Sequence, residues 1–272
     1  MKRYRHYQKG TAIVLAGFGS VVEQQMYLDL RQEIAEAFGE ADVFLSFSSR
    51  MVLKHLNKEG KHYQNLPQTL AELDRAGYRR VVVASLNLFP TDEHELLGRI
   101  VAGFGTFSPM HIRATKAILH KTKETSLALA ELDASVTDPD WANLYIIHGV
   151  PVLDLGGLSA VEYADGFLRR IGEKNFTCSL EGAYPYYAVK DALIREIRSR
   201  DISRVQIVPL LLISGNHYRK DMVEITEELG EHFQTRIAPS LSRSERFNLI
   251  ELPAVRSIIR QNIQEEITKL GC

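Results

Sequence analysis

The stretch RVVVASLNLFPTDEHELL, residues 80–97, decides the fold of this 272-residue chain. Its first half, residues 80–88, is a nearly continuous apolar run, which is typical of a parallel sheet buried on both faces. Pro90 and the three residues after it open a helical pattern that continues to about Val101. The stretch therefore predicts a strand followed by a helix, which is the repeating unit of α/β folds.

The same alternation of strand and helix patterns runs along the rest of the chain. Further strands are predicted at 12–15, 42–47, 110–115, 144–147, 176–180, 205–213 and 235–239. Further helices are predicted at 21–38, 51–58, 66–76, 124–132, 159–171, 189–200, 220–231 and 253–270. The segment 133–143 contains Asp138-Pro139-Asp140 and predicts a linker. We expect an N-terminal α/β lobe (1–135), a C-terminal α/β lobe carrying the metal ligands (136–252) and a closing C-terminal helix (253–272).

The two halves of the chain resemble one another. Residues 81–93 align without gaps with 205–217 at an offset of 217 − 93 = 124, and residues 17–20 align with 147–150 at an offset of 147 − 17 = 130. The pattern predicts two similar α/β lobes, each a parallel β-sheet flanked by helices, with a central cleft. Ligands of open parallel sheets bind beyond the carboxyl ends of the strands.

Composition excludes several classes of protein. There are 33 Lys and Arg against 34 Asp and Glu, so the net charge of −1 argues against a nucleic-acid binder. Hydrophobic residues make up 45% of the chain, as in ordinary globular proteins. The longest apolar run, 205–213, is too short to cross a membrane. The two cysteines, Cys178 and Cys272, form no disulfide framework, which favours the cytoplasm.

The N-terminus imitates a secretory signal, because four basic residues precede the apolar run 11–18. That run ends in Gly17-Phe18-Gly19-Ser20 before a helical pattern, so we interpret it as the first strand, with a cleaved signal as the alternative. The GFGS loop does not match a dinucleotide-binding loop, because Val22 occupies the place of the third glycine. With no P-loop and no nucleophile elbow in the sequence, we expect no nucleotide cofactor.

Three side chains that follow predicted strands form a candidate metal site. His148, Glu181 and His217 supply two imidazoles and a carboxylate, a reasonable ligand set for a divalent first-row metal. A single histidine near a strand end is more often a hydrogen-bonded structural residue. Together, on strand ends that converge at one edge, the three predict a site for metal chemistry.

Two further groups of charged residues have a structural and a functional interpretation. Glu93 lies in Asp92-Glu93-His94-Glu95, where acidic residues favour a helix N-terminus, but it would also serve as a carboxylate facing His148 and His217. We interpret His94 as a solvated surface histidine, with an extra metal ligand as the alternative. We interpret Arg50 and Lys54 as solvated surface residues, with contact to the carboxylates of a substrate as the alternative.

Several motifs together resemble one enzyme family. They are GFGS at 17–20, FSSRM at 47–51, SLN at 85–87 with Asp92 and Glu93, His148-Gly149, Glu181 with Tyr184-Pro185, PLLLISGNH at 209–217 with Asp221-Met222, and LPAVR at 252–256. Over roughly residues 11–263 the chain resembles the anaerobic cobalt chelatases, the sirohydrochlorin cobaltochelatases of the class II chelatase superfamily. Ile147 replaces a glycine usual in that family, His94 replaces an aromatic residue, and two residues rather than one separate Glu181 from Tyr184-Pro185.

The resemblance implies a lyase that inserts a divalent metal into sirohydrochlorin during anaerobic cobalamin biosynthesis. It implies that His148, Glu181 and His217 hold the metal and that Glu93 is a further acidic residue of the active site. Neutral histidine suits both metal binding and proton acceptance, so Glu93 or one histidine would take the pyrrole protons. Co²⁺ is favoured by the resemblance, while Fe²⁺ and Ni²⁺ accept the same ligands.

Other activities stay open at this point. Iron insertion leading to sirohaem or haem is the nearest alternative. A non-catalytic protein that carries a metal or a tetrapyrrole would use the same residues, and a hydrolase would use Glu93 and His148 on a metal-bound water. The expected partners are the tetrapyrrole and the metal, with no nucleic acid and no membrane. The sequence leaves open whether the protein is a homo-oligomer.

Overall fold

The computed structural model describes residues 5–154, 156–215, 218–242 and 245–271, with the side chains of residues 218 and 219 left out. The described strands are β1 (Lys9–Gly17), β2 (Ala41–Phe47), β3 (Tyr78–Ser85), β4 (His111–Ala114), β5 (Ala142–Gly149), β6 (Asn175–Glu181), β7 (Arg204–Leu210) and β8 (Gln234–Ile237). The described α-helices are α1 (Gln24–Ala37), α2 (Arg50–Lys58), α3 (Leu66–Ala76), α4 (Asp92–Phe107), α5 (Thr122–Val136), α6 (Leu158–Ile171), α7 (Tyr186–Arg198), α8 (Val223–Gly230) and α9 (Pro253–Lys269).

The first sheet is parallel and has the strand order β2-β1-β3-β4. The apolar run near the N-terminus forms β1, a central strand in which Val14 pairs with Phe44 on one side and Val83 on the other. Ala12, Val14, Val81 and Val83 are fully buried. The predicted strand after residue 80 is β3, and the predicted helix start after Pro90 is α4. The α/β class with parallel sheets is confirmed.

The second sheet repeats the first, with the parallel order β6-β5-β7-β8. The equivalence extends to single residues. Gly19 and Gly149, which are 149 − 19 = 130 residues apart, have φ angles of +93° and +89°. This is the offset found in the sequence, so the internal repeat is confirmed in both topology and backbone conformation.

Contacts divide the chain into two compact units, Met1–Ile118 with Ser257–Cys272, and Leu119–Arg256. The division differs from the sequence-based boundary at 135/136, because α5 belongs to the second unit. Leu129, Leu132 and Val136 are buried on that helix. The predicted closing helix is also not separate, since most of α9 belongs to the first unit.

A charged cluster joins α9 to β4 within the first unit. Glu266 is 6% exposed and accepts hydrogen bonds from Arg113 and, at 2.6 Å, from Lys269. Burial alone would raise the pKa of Glu266, but these two cations lower it below its ordinary value of 4.5. In the part of the chain that the structure describes, no helix combines the length and apolar character needed to cross a bilayer.

We expect Glu266→Gln to destabilise the protein by about 1–2 kcal/mol at pH 7, because two cations lose their carboxylate. A carboxyl whose pKa is lowered by folding stabilises the protein above its unfolded pKa, and this contribution disappears as the pH falls through the folded pKa. Urea unfolding should therefore show the difference shrinking below about pH 4.5. Glu72→Gln is the control, because its pair with Arg75 is long, at 3.7 Å, and exposed. An equal stability of Glu266→Gln and wild type at pH 7 would contradict the assignment.

Candidate metal centre

The ends of β5 and β6 bring two of the predicted ligands to neighbouring backbone positions. His148 is half-buried, and Glu181, the last residue of β6, is exposed. Gly149 is paired in register with Glu181. Because side chains alternate along a strand, His148 shares a face with Ile146, and Glu181 lies on the opposite face. An ion bound by both side chains would therefore lie beyond the strand ends.

Two glycines allow the backbones to approach closely at this point. Gly149 has φ +89°, and a Cβ built on it would lie 1.6 Å from the carbonyl oxygen of Glu181. Gly182 has φ +82°, and its Cβ would lie 1.7 Å from the carbonyl oxygen of Val150. Only glycine tolerates both the dihedral angle and the contact. The His-Gly and Glu-Gly pairs of the sequence are thus the local reason why the two segments lie against each other.

The loop after Glu181 presents an aromatic side chain to solvent. The backbone N–H of Ser179 donates to the carbonyl oxygen of Tyr184 at 3.1 Å. The Ser179 hydroxyl donates to the carbonyl oxygen of Ala183 at 2.7 Å. Tyr184 itself has φ +54°, a left-handed conformation that is costly for a residue with a Cβ. Tyr184 is 57% exposed and Leu153, after β5, is 69% exposed. Apolar surface therefore flanks the strand ends that carry His148 and Glu181.

The third predicted ligand, His217, lies outside the described residues, and so does residue 216. The segment that precedes them is firmly anchored. Strand β7 ends at Leu210 rather than at the predicted residue 213, because the carbonyl oxygens of Leu211 and Leu212 accept hydrogen bonds from residues 249 and 250 instead. Ser214 is fully buried, and its backbone N–H donates to the side chain of Asn248 at 2.6 Å.

Within the described ranges, no group of three or more His, Cys, Asp and Glu side chains is arranged to hold a metal ion. His217 is not in those ranges, so the set His148, Glu181 and His217 stays a prediction. The described residues show that His148 and Glu181 lie at neighbouring positions at the ends of β5 and β6.

In the first unit, Glu93 lies in the first turn of α4 and is half-buried. It is close enough to Tyr27 to act on it electrostatically. Burial raises the pKa of the Tyr27 phenol, a hydrogen bond from the Gly19 amide opposes this effect, and the charge of Glu93 raises the pKa further. The Gly19 N–H donates to the Tyr27 oxygen at 3.1 Å. The charge of Glu93 therefore acts on the tyrosine that accepts a hydrogen bond from the loop after β1.

His94 is not the solvated surface histidine that we predicted. It is half-buried, and its Nδ1 lies 2.9 Å from the hydroxyl of Ser85, a buried residue at the end of β3. The side-chain amide of Asn87 donates to the same hydroxyl at 3.0 Å. Ser85 and Asn87 belong to the SLN motif at 85–87, but their contact with His94 was not predicted from the sequence.

A basic stripe on α2 follows the carboxyl end of β2. The Ser49 side chain caps this helix by accepting a hydrogen bond from the Val52 N–H. Arg50, Lys54 and Lys58 are spaced by four residues and are exposed on one side of α2. None of the three forms an ion pair with a described carboxylate. The stripe is thus free to contact an anion.

Comparisons with known proteins give a consistent result. The sequence model of the family described as cobalt chelatase (CbiK) matches residues 11–265. The sirohydrochlorin cobaltochelatase of Salmonella typhimurium is 22% identical over 275 residues, which cover 94% of this chain and 96% of the relative.

Solved structures agree on the fold. SirB from Bacillus subtilis with Fe³⁺ has a TM-score of 0.65 at 17% identity, covering 94% of this chain and 95% of SirB. The sirohydrochlorin chelatase SirB from Bacillus subtilis subspecies spizizenii in complex with cobalt has a TM-score of 0.62 at 15% identity, covering 94% of each chain. At these identities the likeness shows the fold alone, and it agrees with the two parallel four-stranded sheets.

We expect Gly149→Ala to separate the ends of β5 and β6, because its Cβ would overlap the Glu181 backbone. The variant should lose about 2 kcal/mol or more of stability, as strained backbone and overpacking usually cost. Urea unfolding measures the loss. The control is Gly103→Ala in α4, where a Cβ meets nothing within 4 Å and where helix propensity predicts a gain of about 0.5–1 kcal/mol. Equal stabilities for the two variants would refute the close approach.

Proposed function

Because the chain belongs to the cobalt chelatase (CbiK) family, we propose that it inserts Co²⁺ into the metal-free tetrapyrrole sirohydrochlorin in anaerobic cobalamin biosynthesis. The chain is a metal chelatase, a lyase. The observation that carries the proposal is the extent of the family match, which runs from residue 11 to residue 265 and spans both units. The Salmonella relative is named sirohydrochlorin cobaltochelatase, and the alignment with this chain covers 96% of it.

His148, Glu181 and His217 hold the incoming metal in this proposal. His148 and Glu181 belong to the second unit, and the pairing of β5 with β6 supports their proximity. Imidazole and carboxylate suit Co²⁺, Fe²⁺ and Ni²⁺ alike. The set contains no thiolate, so we expect moderate affinity, which suits a site that must release the metal into the substrate.

Proton acceptance is the second task of the site. A divalent metal enters as two pyrrole N–H protons leave, so a base is needed next to the macrocycle. Glu93 in the first unit is our candidate for this base, with a histidine as the alternative. Its place at the start of α4, after the carboxyl end of β3, is where ligands of parallel sheets bind.

Substrate recognition uses two surfaces that the structure leaves exposed. The exposed apolar side chains at the strand ends of the second unit, among them Leu153 and Tyr184, contact the macrocycle. The carboxylate side chains of sirohydrochlorin contact the basic stripe Arg50, Lys54 and Lys58 through charge-assisted hydrogen bonds. Recognition therefore combines apolar contact with charge neutralisation.

We place the activity in the cytoplasm. Cys178 is a free, buried cysteine, and burial raises the pKa of its thiol to about 12. A free thiol of this kind is normal in a reducing compartment.

Turnover with purified protein tests the proposal. Sirohydrochlorin and Co²⁺ are mixed with a small molar fraction of protein, and the absorbance change of metallation is followed. We expect many equivalents of product per protein molecule. A change that stops at one equivalent would indicate a carrier and contradict the proposal. Parallel reactions with Fe²⁺ and Ni²⁺ rank the metals, and a clear preference for Fe²⁺ would favour iron insertion instead.

Substitution of the ligands tests the site. We expect His148→Ala and His217→Ala each to lower kcat at least 100-fold, because the metal loses an imidazole, while Glu93→Gln lowers kcat and leaves Co²⁺ binding intact. Circular dichroism checks the fold. The control is His111→Ala, an exposed histidine at the amino end of β4, which should keep wild-type turnover. Full activity of His148→Ala would remove that residue from the site.

Removal of the basic stripe tests substrate recognition. The double variant Arg50→Ala/Lys54→Ala should raise KM for sirohydrochlorin about tenfold with kcat retained, because two ion pairs of below 1 kcal/mol each are lost. Added salt should raise the wild-type KM and have less effect on the variant. Arg195→Ala, an exposed cation in the last turn of α7, is the matched control. A KM equal to wild type would show that the stripe does not bind substrate.

A further inference from the structure

We propose that His94 is a positioning residue, which holds the first turn of α4 on the end of β3 and thereby fixes the carboxylate of Glu93. This inference deepens the proposed function and rests on it. It is carried by the hydrogen bonds among Ser85, Asn87 and His94.

The start of α4 lacks the usual side-chain cap. Thr91 occupies the N-cap position and its side chain accepts no hydrogen bond from the helix. Three carboxylates, Asp92, Glu93 and Glu95, share the first turn. They suit the helix dipole but repel one another at close range. A helix whose N-terminus lacks a capping side chain is less stable by roughly 1 kcal/mol. A hydrogen bond from this turn to the sheet therefore stabilises the start of α4.

The positions of the hydrogen atoms among Ser85, Asn87 and His94 are assigned from which atoms can donate and which can accept. The Ser85 hydroxyl oxygen lies 3.0 Å from the Asn87 side-chain nitrogen and 2.9 Å from Nδ1 of His94. The Asn87 amide nitrogen donates to the Ser85 oxygen, which leaves the hydroxyl hydrogen of Ser85 for another acceptor, and we assign this hydrogen to Nδ1 of His94. Neutral His94 then carries its own proton on Nε2. Ser85 is only 3% exposed, so water does not compete for this bond.

Glu93 precedes His94 in the same helical turn, so fixing one backbone fixes the other. The imidazole is tied to a buried residue of β3, a central strand of the first sheet. The Glu95 N–H donates to the backbone carbonyl oxygen of Thr91 at 3.0 Å, and no side chain caps this turn. Without the bond between His94 and Ser85, this first turn of α4 would therefore open more often. A carboxylate that moves within this turn accepts protons less efficiently, because proton transfer requires hydrogen-bond reach.

A double-mutant cycle tests this role. Ser85→Ala and His94→Phe should each lower kcat for metal insertion about tenfold, with KM for Co²⁺ and for sirohydrochlorin within about twofold of wild type. The double variant should be no slower than the slower single variant, because both changes remove the same bond between Ser85 and His94, and the bond from Asn87 is already lost in Ser85→Ala. His94→Asn, whose carbonyl oxygen can accept from Ser85, should restore at least half of kcat.

A matched control removes a comparable bond elsewhere. Ser126→Ala deletes the hydroxyl that lies 2.7 Å from the Tyr163 hydroxyl on the surface of the second unit, and kcat should not change. If His94→Phe is far slower than Ser85→Ala and the two effects multiply in the double variant, His94 acts on the substrate itself and the positioning role is wrong.

Two measurements separate this inference from the proposed function. Nitrogen-15 NMR should show His94 as the Nε2–H tautomer in the wild-type protein. Hydrogen exchange of the Glu95 amide should be about tenfold faster in both single variants. Unchanged exchange overturns the positioning role, and an Nδ1–H tautomer overturns the assigned direction of the bond between Ser85 and His94. If both readouts are as expected but the wild type does not insert metal, the proposed function fails and the hydrogen-bonded cluster stands as a structural link.

Discussion

The approach of two backbones at the ends of β5 and β6 is the constraint on which the candidate metal centre depends. Gly149 and Gly182 each have a positive φ, and each faces a carbonyl oxygen at a distance that leaves no room for a Cβ. The contact determines where the chain turns after His148 and after Glu181. In the first unit, Gly19 faces the ring of Phe47, where a Cβ would lie at 2.9 Å. Both halves of the repeat therefore have a glycine with positive φ at or just after the end of their first strand.

The repeat keeps the architecture and changes the chemistry. At the offset of 130, Phe18 corresponds to His148, and at the offset of 124, Glu93 corresponds to His217. One unit thus has an exposed ring and a carboxylate where the other has imidazoles. In the proposed reaction, proton acceptance belongs to the first unit and metal binding to the second. The equivalent ends of β1 and β5 provide the places of Phe18 and His148 without a new element of structure.

Sequence predicted the fold well because parallel sheets need strands that are apolar on both faces, and residues 80–88 and 205–213 have that pattern. It missed features that depend on distant partners. The apolar run after Leu210 continues, but its carbonyl groups pair with residues 249 and 250, and periodicity does not reveal the partner. Most of α9 belongs with the first unit, where Arg113 binds Glu266 across 153 residues of sequence.

The candidate site was predictable only in part, for the same reason. His148, Glu181 and Glu93 could be singled out because they follow strands. The contact of His94 with Ser85 joins a helix to a strand across a turn, whereas from the sequence we expected a solvated side chain. A hydrogen bond between residues nine positions apart has no signature in the pattern of apolar residues.

Tyr184 has a consequence for the evolution of this chain. Its left-handed backbone would suit glycine better by roughly 1–2 kcal/mol, and a ring that is 57% exposed recovers little of that through packing. Laboratory selection for heat resistance alone would therefore favour glycine in place of this tyrosine. Selection for growth that requires the enzyme would keep it if the ring touches the macrocycle, so the two lineages would diverge at this codon.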